Sequence, residues 1–242
     1  MVQSIDVVAT DGSGCFKAYI AMPKAAPITG PTARTFPVVL AIQEVFGVNA
    51  NMRGVCDALA DEGYIAISPD LFWRTESGLD LSDKIPAELE RALQLFRSFD
   101  FEKGMEDLEA TISAARALPE CSGKVGAVGY CLGGLLAYKV STDLNIDAAV
   151  SYYGVGIDQK LNDASGITSP MMLHMAGDDQ FVNKDQQQAI TEKLSAHAHV
   201  TLHTYVGQEH AFARSDSTHW NIEAAEIANG RTNRFFKTML EI

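Results

Sequence analysis

The chain has 242 residues, 47% hydrophobic and 21% charged, which is enough apolar material for one large core and one domain spanning 1–242. Its formal net charge of −12 sets the surface against nucleic acid and anionic membranes. No charged segment leads into an apolar stretch at the start and no window is long enough to span a bilayer, so the sequence reads as a cytoplasmic protein.

In chain order, strand-like runs at 5–9 and 15–22 are joined by Asp11-Gly12, a hairpin signal. Residues 23–37, rich in Pro, Gly and Thr, read as a surface loop. Further strands are predicted at 37–43, 64–68, 124–129, 148–153, 171–176 and 200–206. Helical patterns lie between them. Asn51 is placed to cap a helix running to about Glu62. Ile85, Leu89, Phe96 and Phe99 share one helical face, as do Phe101, Met105, Leu108 and Ile112. Helices at 132–143, 184–197 and 218–240 follow, the last two capped by Asn183 and Thr218, with Trp220 packing into the core. A leading hairpin followed by β–α units predicts an α/β protein: a mostly parallel, twisted, eight-stranded sheet with helices on both faces. Such sheets carry their sites beyond the carboxyl ends of the strands. No internal repeat, low-complexity tract or interdomain linker is visible.

The segment Gly129-Tyr130-Cys131-Leu132-Gly133 closes an apolar strand and opens a helix. It has the form glycine-x-nucleophile-x-glycine, with cysteine as the nucleophile. A thiol attacks a carbonyl as its thiolate, so it needs a base and an electropositive setting. A histidine supplies the base, and a carboxylate on its other ring nitrogen fixes the tautomer. Cys131, Asp179 and His210 each follow a predicted strand, in that order. Taken singly, they read as a buried inert thiol, an Asx turn and a loop histidine; together they point to acyl transfer. Asp178 is taken as a turn residue. Glu44, just past the third strand, could accept the Cys131 proton or pair with an arginine, or lie on the surface.

Other signals are set aside. Cys15, Cys56, Cys121 and Cys131 show no framework spacing. A strand between the last two separates them by roughly 20 Å, too far for a disulfide. His197 reads as a helix end and His199 and His203 as scattered surface positions, so no metal site is expected. Phe46, Phe72, Tyr152, Tyr153 and Phe181 near strand ends either line a pocket or fill the core. No dinucleotide or P-loop pattern appears, so no cofactor is expected.

With these residues in view, the chain resembles the dienelactone hydrolase (carboxymethylenebutenolidase) family of the α/β-hydrolase fold. The segments that carry the likeness are QEVFGVNANMR at 43–53, SPDLFWR at 68–74, KVGAVGYCLGG at 124–134, SYYGVG at 151–156, LHMAGDDQFV at 173–182 and EHAFAR at 209–214. The resemblance implies a Cys131–His210–Asp179 triad, with Glu44 contacting the thiol. It implies an oxyanion hole from the backbone N–H groups of Val45 and Leu132. It matches Arg74 and Arg214 to arginines that hold a substrate carboxylate. It further implies a substrate-assisted scheme, in which an incoming carboxylate frees Glu44 to deprotonate Cys131. The expected partner is a small anionic lactone or ester, opened through a thioester to maleylacetate by a monomeric enzyme. Ala211 stands where the family pattern has a serine, and Trp73 is bulky beside Arg74. A carboxylesterase or lactonase for another small ester is the rival reading. A non-catalytic binding protein of the same fold is the third.

Overall fold

Alternating burial makes the first two strands, β1 (Ser4–Val8) and β2 (Cys15–Ala21): Phe16, Ala18 and Ile20 turn inward while Cys15 and Lys17 stay in solvent. The computed structural model describes residues 3–24 and 35–241. Most of the loop expected at 23–37 therefore lies outside the described residues. Strands β3 (Phe36–Ile42) and β4 (Ile65–Pro69) are buried at every position. Continuous apolar runs of this kind suit parallel strands covered on both faces. The remaining strands are β5 (Cys121–Tyr130), β6 (Ala148–Tyr152), β7 (Met171–Ala176) and β8 (Val200–Tyr205). They form the expected mostly parallel, eight-stranded sheet, in the order β1-β2-β4-β3-β5-β6-β7-β8. The described chain falls into two compact units, one through Gly126 and one from Ala127 to Glu241.

In the first unit, β1 pairs antiparallel with β2, β2 antiparallel with β4, and β3 parallel with β4. Helices α1 (Ala50–Asp61), α2 (Pro86–Ser98) and α3 (Phe101–Arg116) lie between the later strands. α1 packs on β2, β3 and β4, and α3 on β1, β3 and β4. Met105, Leu108 and Ile112 are buried on α3, as their spacing predicts. α2 is shorter than its apolar pattern: Ile85 is the exposed N-cap and Phe99 the C-cap. Pro86 opens the helix, where its missing N–H costs nothing, and Asp100 caps α3 straight after it. α1 is capped by Asn49 rather than Asn51, through a bond from the Met52 N–H to Asn49 Oδ1 of 3.1 Å.

In the second unit, β6, β7 and β8 pair in parallel. Helix α4 (Leu132–Asp143) packs on β6, α5 (Lys184–Leu194) on β8, and α6 (Ile222–Met239) on β6. The capping box of Asn183 and Gln186 starts α5 where expected. α6 begins later than expected. Asn221, not Thr218, accepts from the Ala224 N–H, so Trp220 precedes the helix and is exposed rather than in the core. A 3-10 helix at Ile157–Gly166 was not among the expected elements. The buried Lys139 of α4 reaches Asp143 and, in that 3-10 helix, Asp163. Among the described residues, no helix is long and apolar enough to cross a membrane.

α4 approaches β6 so closely that a Cβ on Gly134 would sit 2.6 Å from Tyr152 O and 2.8 Å from Gly154 Cα. Gly134→Ala should therefore lower the stability to denaturant by about 2 kcal/mol, read from equilibrium unfolding in urea; an unchanged midpoint would show that α4 can shift outward freely.

Candidate active site

β5 ends at Tyr130 and α4 begins at Leu132, which leaves Cys131 alone to make the turn between them. Its backbone sits at φ 57° and ψ −115°, a sparsely populated region for a side-chain-bearing residue. Such a conformation costs on the order of 1–3 kcal/mol and persists only where its surroundings impose it. Here the Cys131 N–H donates to Tyr152 O at 3.1 Å. The Cys131 carbonyl accepts from the N–H groups of Gly134 (3.0 Å), Leu135 (3.2 Å) and Val155 (3.3 Å). Gly129 is obligatory, since a Cβ there would lie 1.8 Å from Gly133 O. Leu132 is the first residue of α4, so its N–H has no intrahelical acceptor, and the positive end of the helix dipole lies beside the sulfur.

The loops after β7 and β8 bring Asp179 and His210 together. Gly177 donates to Tyr205 O and Asp178 to Gln208 O, both at 2.8 Å, which lays the two loops side by side. The approach needs glycine at 177, where a Cβ would be 2.7 Å from Tyr205 O. Asp179 is buried. Its Oδ1 accepts from the Phe181 N–H and its Oδ2 lies against His210 Nδ1, each at 2.8 Å. Asp178 points elsewhere, to Lys184. The His210 ring is flanked edge-on by Tyr153 and by the half-exposed Phe181, both at 4.9 Å between centroids. Among the described non-glycine residues four have positive φ, and three of them, Cys131, Tyr153 and Ala211, stand at this site.

Burial works against a charge on His210, and it is the largest single influence. The electrostatic and hydrogen-bonding influences of Cys131 and Asp179 outweigh it and raise the imidazole to about 10. The sulfur is within hydrogen-bonding reach of the ring, although Nε2 makes no well-aligned bond among the described residues. Loose alignment of this kind is usual before substrate arrives.

The other sequence-predicted residues belong to the first unit, apart from Arg214. Glu44 is not a surface glutamate: it is 3% exposed, and Val45 and Phe46 beside it are buried too. Gln43 ties this loop down, donating to Glu44 O at 3.3 Å and accepting from the Leu71 N–H at 3.1 Å. Arg74 is held by the chain's own carboxylates. Its Nε and Nη2 donate to Asp107 at 2.9 and 2.7 Å, and its Nη1 donates to Asp11 at 3.0 Å and Ser13 Oγ at 2.8 Å. Asp107 is 1% exposed and also accepts from Trp73 Nε1. Arg214, in the second unit, is buried with its Nε 3.1 Å from the partly exposed Asp216. Asp107 and His174 escaped the sequence reading. The signal was there, in an acid on the apolar side of α3 and a histidine inside the apolar run of β7. His203 stacks on His174 rather than joining His197 and His199.

The profile of the dienelactone hydrolase family matches residues 16–240. The chain belongs to the dienelactone hydrolase family. The carboxymethylenebutenolidase of Pseudomonas putida is 40% identical over 231 residues, covering 96% of this chain and 94% of that protein. Carboxymethylenebutenolidase 1 of Cupriavidus pinatubonensis is 38% identical over 229 residues, covering 94% and 93%. Among solved structures, the dienelactone hydrolase-like promiscuous phosphotriesterase P91 from metagenomic libraries superposes with a TM-score of 0.80 at 20% identity, covering 98% of each chain. That likeness is one of fold, the α/β-hydrolase fold. As a member of the dienelactone hydrolase family, the protein is a hydrolase acting on an ester bond.

The charge balance at His210 sets a pH dependence. Because its folded value is raised, the imidazolium contributes stability that is complete below about 6.5 and is lost as pH rises through about 10. NMR titration of histidine-labelled protein, assigned with His210→Gln, should show His210 protonated at neutral pH. The midpoint should fall in Cys131→Ala. A wild-type midpoint at or below the ordinary histidine value would contradict the balance described.

Proposed function

We propose that the protein opens the lactone ester of a carboxymethylenebutenolide to maleylacetate, with Cys131 as nucleophile and a thioester acyl-enzyme as intermediate. The observation that carries this reading is His210 paired with the buried Asp179 at 2.8 Å and set beside the sulfur of a strained elbow. The relatives' names supply the substrate class. The Cys131 thiolate adds to the ester carbonyl, and the oxyanion is met by the Leu132 N–H at the start of α4. The resemblance adds the Val45 N–H as the second donor. His210 gives its proton to the departing enolate oxygen, which stays tethered to the acyl group. Neutral His210 then takes a proton from water, the hydroxide adds to the thioester, and the carboxylic acid leaves with the thiolate restored.

Arg214 is assigned the substrate carboxylate. One of its contacts, Asp216, is partly exposed, and a guanidinium matches a carboxylate in shape and charge. Arg74 would have to abandon the buried Asp107, so its part in the proposal is to anchor Trp73 and the β1–β2 turn. The free thiols Cys15, Cys56, Cys121 and Cys131 support a reducing, cytoplasmic setting.

The place of Cys131 at the start of α4 beside His210 supports a thiolate already present at rest. The buried position of Glu44 favours a second reading, in which substrate binding releases that carboxylate to take the thiol proton. Thiolate absorbance in the ultraviolet, with and without a carboxylate ligand, separates them. An absorbance at rest that ignores the ligand supports the first, and one that appears only with ligand supports the second.

Cys131→Ala should lower kcat at least about a thousandfold with the fold retained, measured on the lactone; unchanged turnover would remove the triad. Arg214→Met should raise KM for the anionic lactone by about tenfold and leave KM for p-nitrophenyl acetate unaltered. Faster cleavage of that neutral aryl ester than of the lactone would favour the carboxylesterase rival.

A further inference from the structure

Four rings stand in a row across consecutive strands: Tyr130 of β5, Tyr152 of β6, His174 of β7 and His203 of β8. The register sets Tyr152 beside His174 and His174 beside His203. Their centroids are 4.8, 4.3 and 5.7 Å apart in turn. None belongs to the triad. His174 is fully buried with both ring nitrogens engaged, Nδ1 at 2.8 Å from Tyr205 Oη and Nε2 at 2.9 Å from Thr232 Oγ1 of α6. Thr232 Oγ1 is in turn 2.6 Å from Tyr152 Oη, and the Tyr152 hydroxyl donates to Asn229 Oδ1 at 2.9 Å. At the opposite end, Arg231 Nη1 donates to Tyr205 Oη at 3.1 Å.

The two ends decide the direction of every proton. A guanidinium only donates, so Tyr205 accepts from Arg231 and directs its single proton to His174 Nδ1. His174 is then the Nε2–H tautomer. It donates to Thr232, Thr232 donates to Tyr152, and Tyr152 donates to Asn229. The reverse order would leave the buried Tyr205 proton without an acceptor, a costly arrangement. Burial, followed by the charges of His203 and Arg231, holds His174 well below the ordinary histidine range and keeps it neutral.

The chain touches both members of the acyl-transfer site. Tyr152 is the residue whose carbonyl receives the Cys131 N–H, and the His174 carbonyl receives the Tyr153 N–H at 2.7 Å. Tyr153, strained at φ 38°, lays its ring against His210. We propose that His174 is a positioning residue: the one-way chain Arg231–Tyr205–His174–Thr232–Tyr152–Asn229 fixes the end of β6 so that Cys131 and His210 keep their mutual geometry. A buried polar chain with every member satisfied is rigid in this way. The proposal rests on Cys131 being the nucleophile.

Two variants break the chain at different links. His174→Phe keeps a ring in the stack but removes both hydrogen bonds, and Thr232→Val leaves the stack intact. His174→Gln keeps a donor and an acceptor. With p-nitrophenyl acetate, at a temperature where circular dichroism shows each protein fully folded, the Phe and Val variants should lose about tenfold to a hundredfold in kcat. KM should be unchanged, and alkylation of Cys131 by iodoacetamide should slow in parallel. His174→Gln should recover most of the loss. Wild-type kcat and alkylation rates in both Phe and Val variants, with Cys131→Ala inactive, would overturn the positioning role alone. A loss in the variants that falls on KM would overturn it too. Full turnover in Cys131→Ala would instead overturn the nucleophile on which it rests.

Discussion

A charge kept inside the protein governs this site. An imidazolium in a buried position is unfavourable by itself, and His210 is held toward that form because the Asp179 carboxylate lies at one ring nitrogen and the Cys131 sulfur within reach of the other. Much of the local architecture follows from that requirement. The loops after β7 and β8 are laced together so that Asp179 and His210 meet at 2.8 Å. The backbone accepts strained angles at Cys131, Tyr153 and Ala211, which place the sulfur, one flanking ring and the residue after His210. Strain concentrated in one place is maintained by ordinary packing elsewhere, here the tight seam of α4 against β6.

The parts of this arrangement that were legible in the sequence share a property: they are encoded by short, local patterns. The apolar runs that become β3, β4, β6 and β7 carry their own boundaries. The glycine-flanked cysteine, the Gly-Asp-Asp turn and the histidine after the last strand each announce a strand end within a few residues. Helix limits were less legible where two candidates stood close together. Asn49 and Asn51 both have capping chemistry, and the bond that chooses Asn49 depends on how the preceding turn enters the helix. The apolar residues Ile85 and Phe99 fit the period of α2 but sit on its caps, because Pro86 and Asp100 decide where the helices start.

What was not legible is the pairing of polar groups distant in the chain. Nothing near Arg74 says that its carboxylate is Asp107, more than a helix away, so an arginine past a strand end read as a ligand for substrate. His174 is the converse case. A histidine in an apolar strand looks like an exception to be tolerated until Thr232 and Tyr205 arrive from α6 and β8 and use both nitrogens. His174 is buried and Arg74 partly so, both have their polar groups engaged, and the engagement is a property of the folded chain alone.

Cys131 combines partial exposure, a helix N-terminus and a cationic neighbour. Under the proposed reaction, the features that would ready this sulfur for an ester would ready it for peroxide too, because both reactions use the thiolate. Nearest in sequence, Cys121 opens the strand that Cys131 follows, at a separation that rules out a rescuing disulfide. With Cys131 as the proposed nucleophile, a sulfenic acid formed there would find no resolving partner in Cys121, and competence would then depend on reductant as well as on substrate.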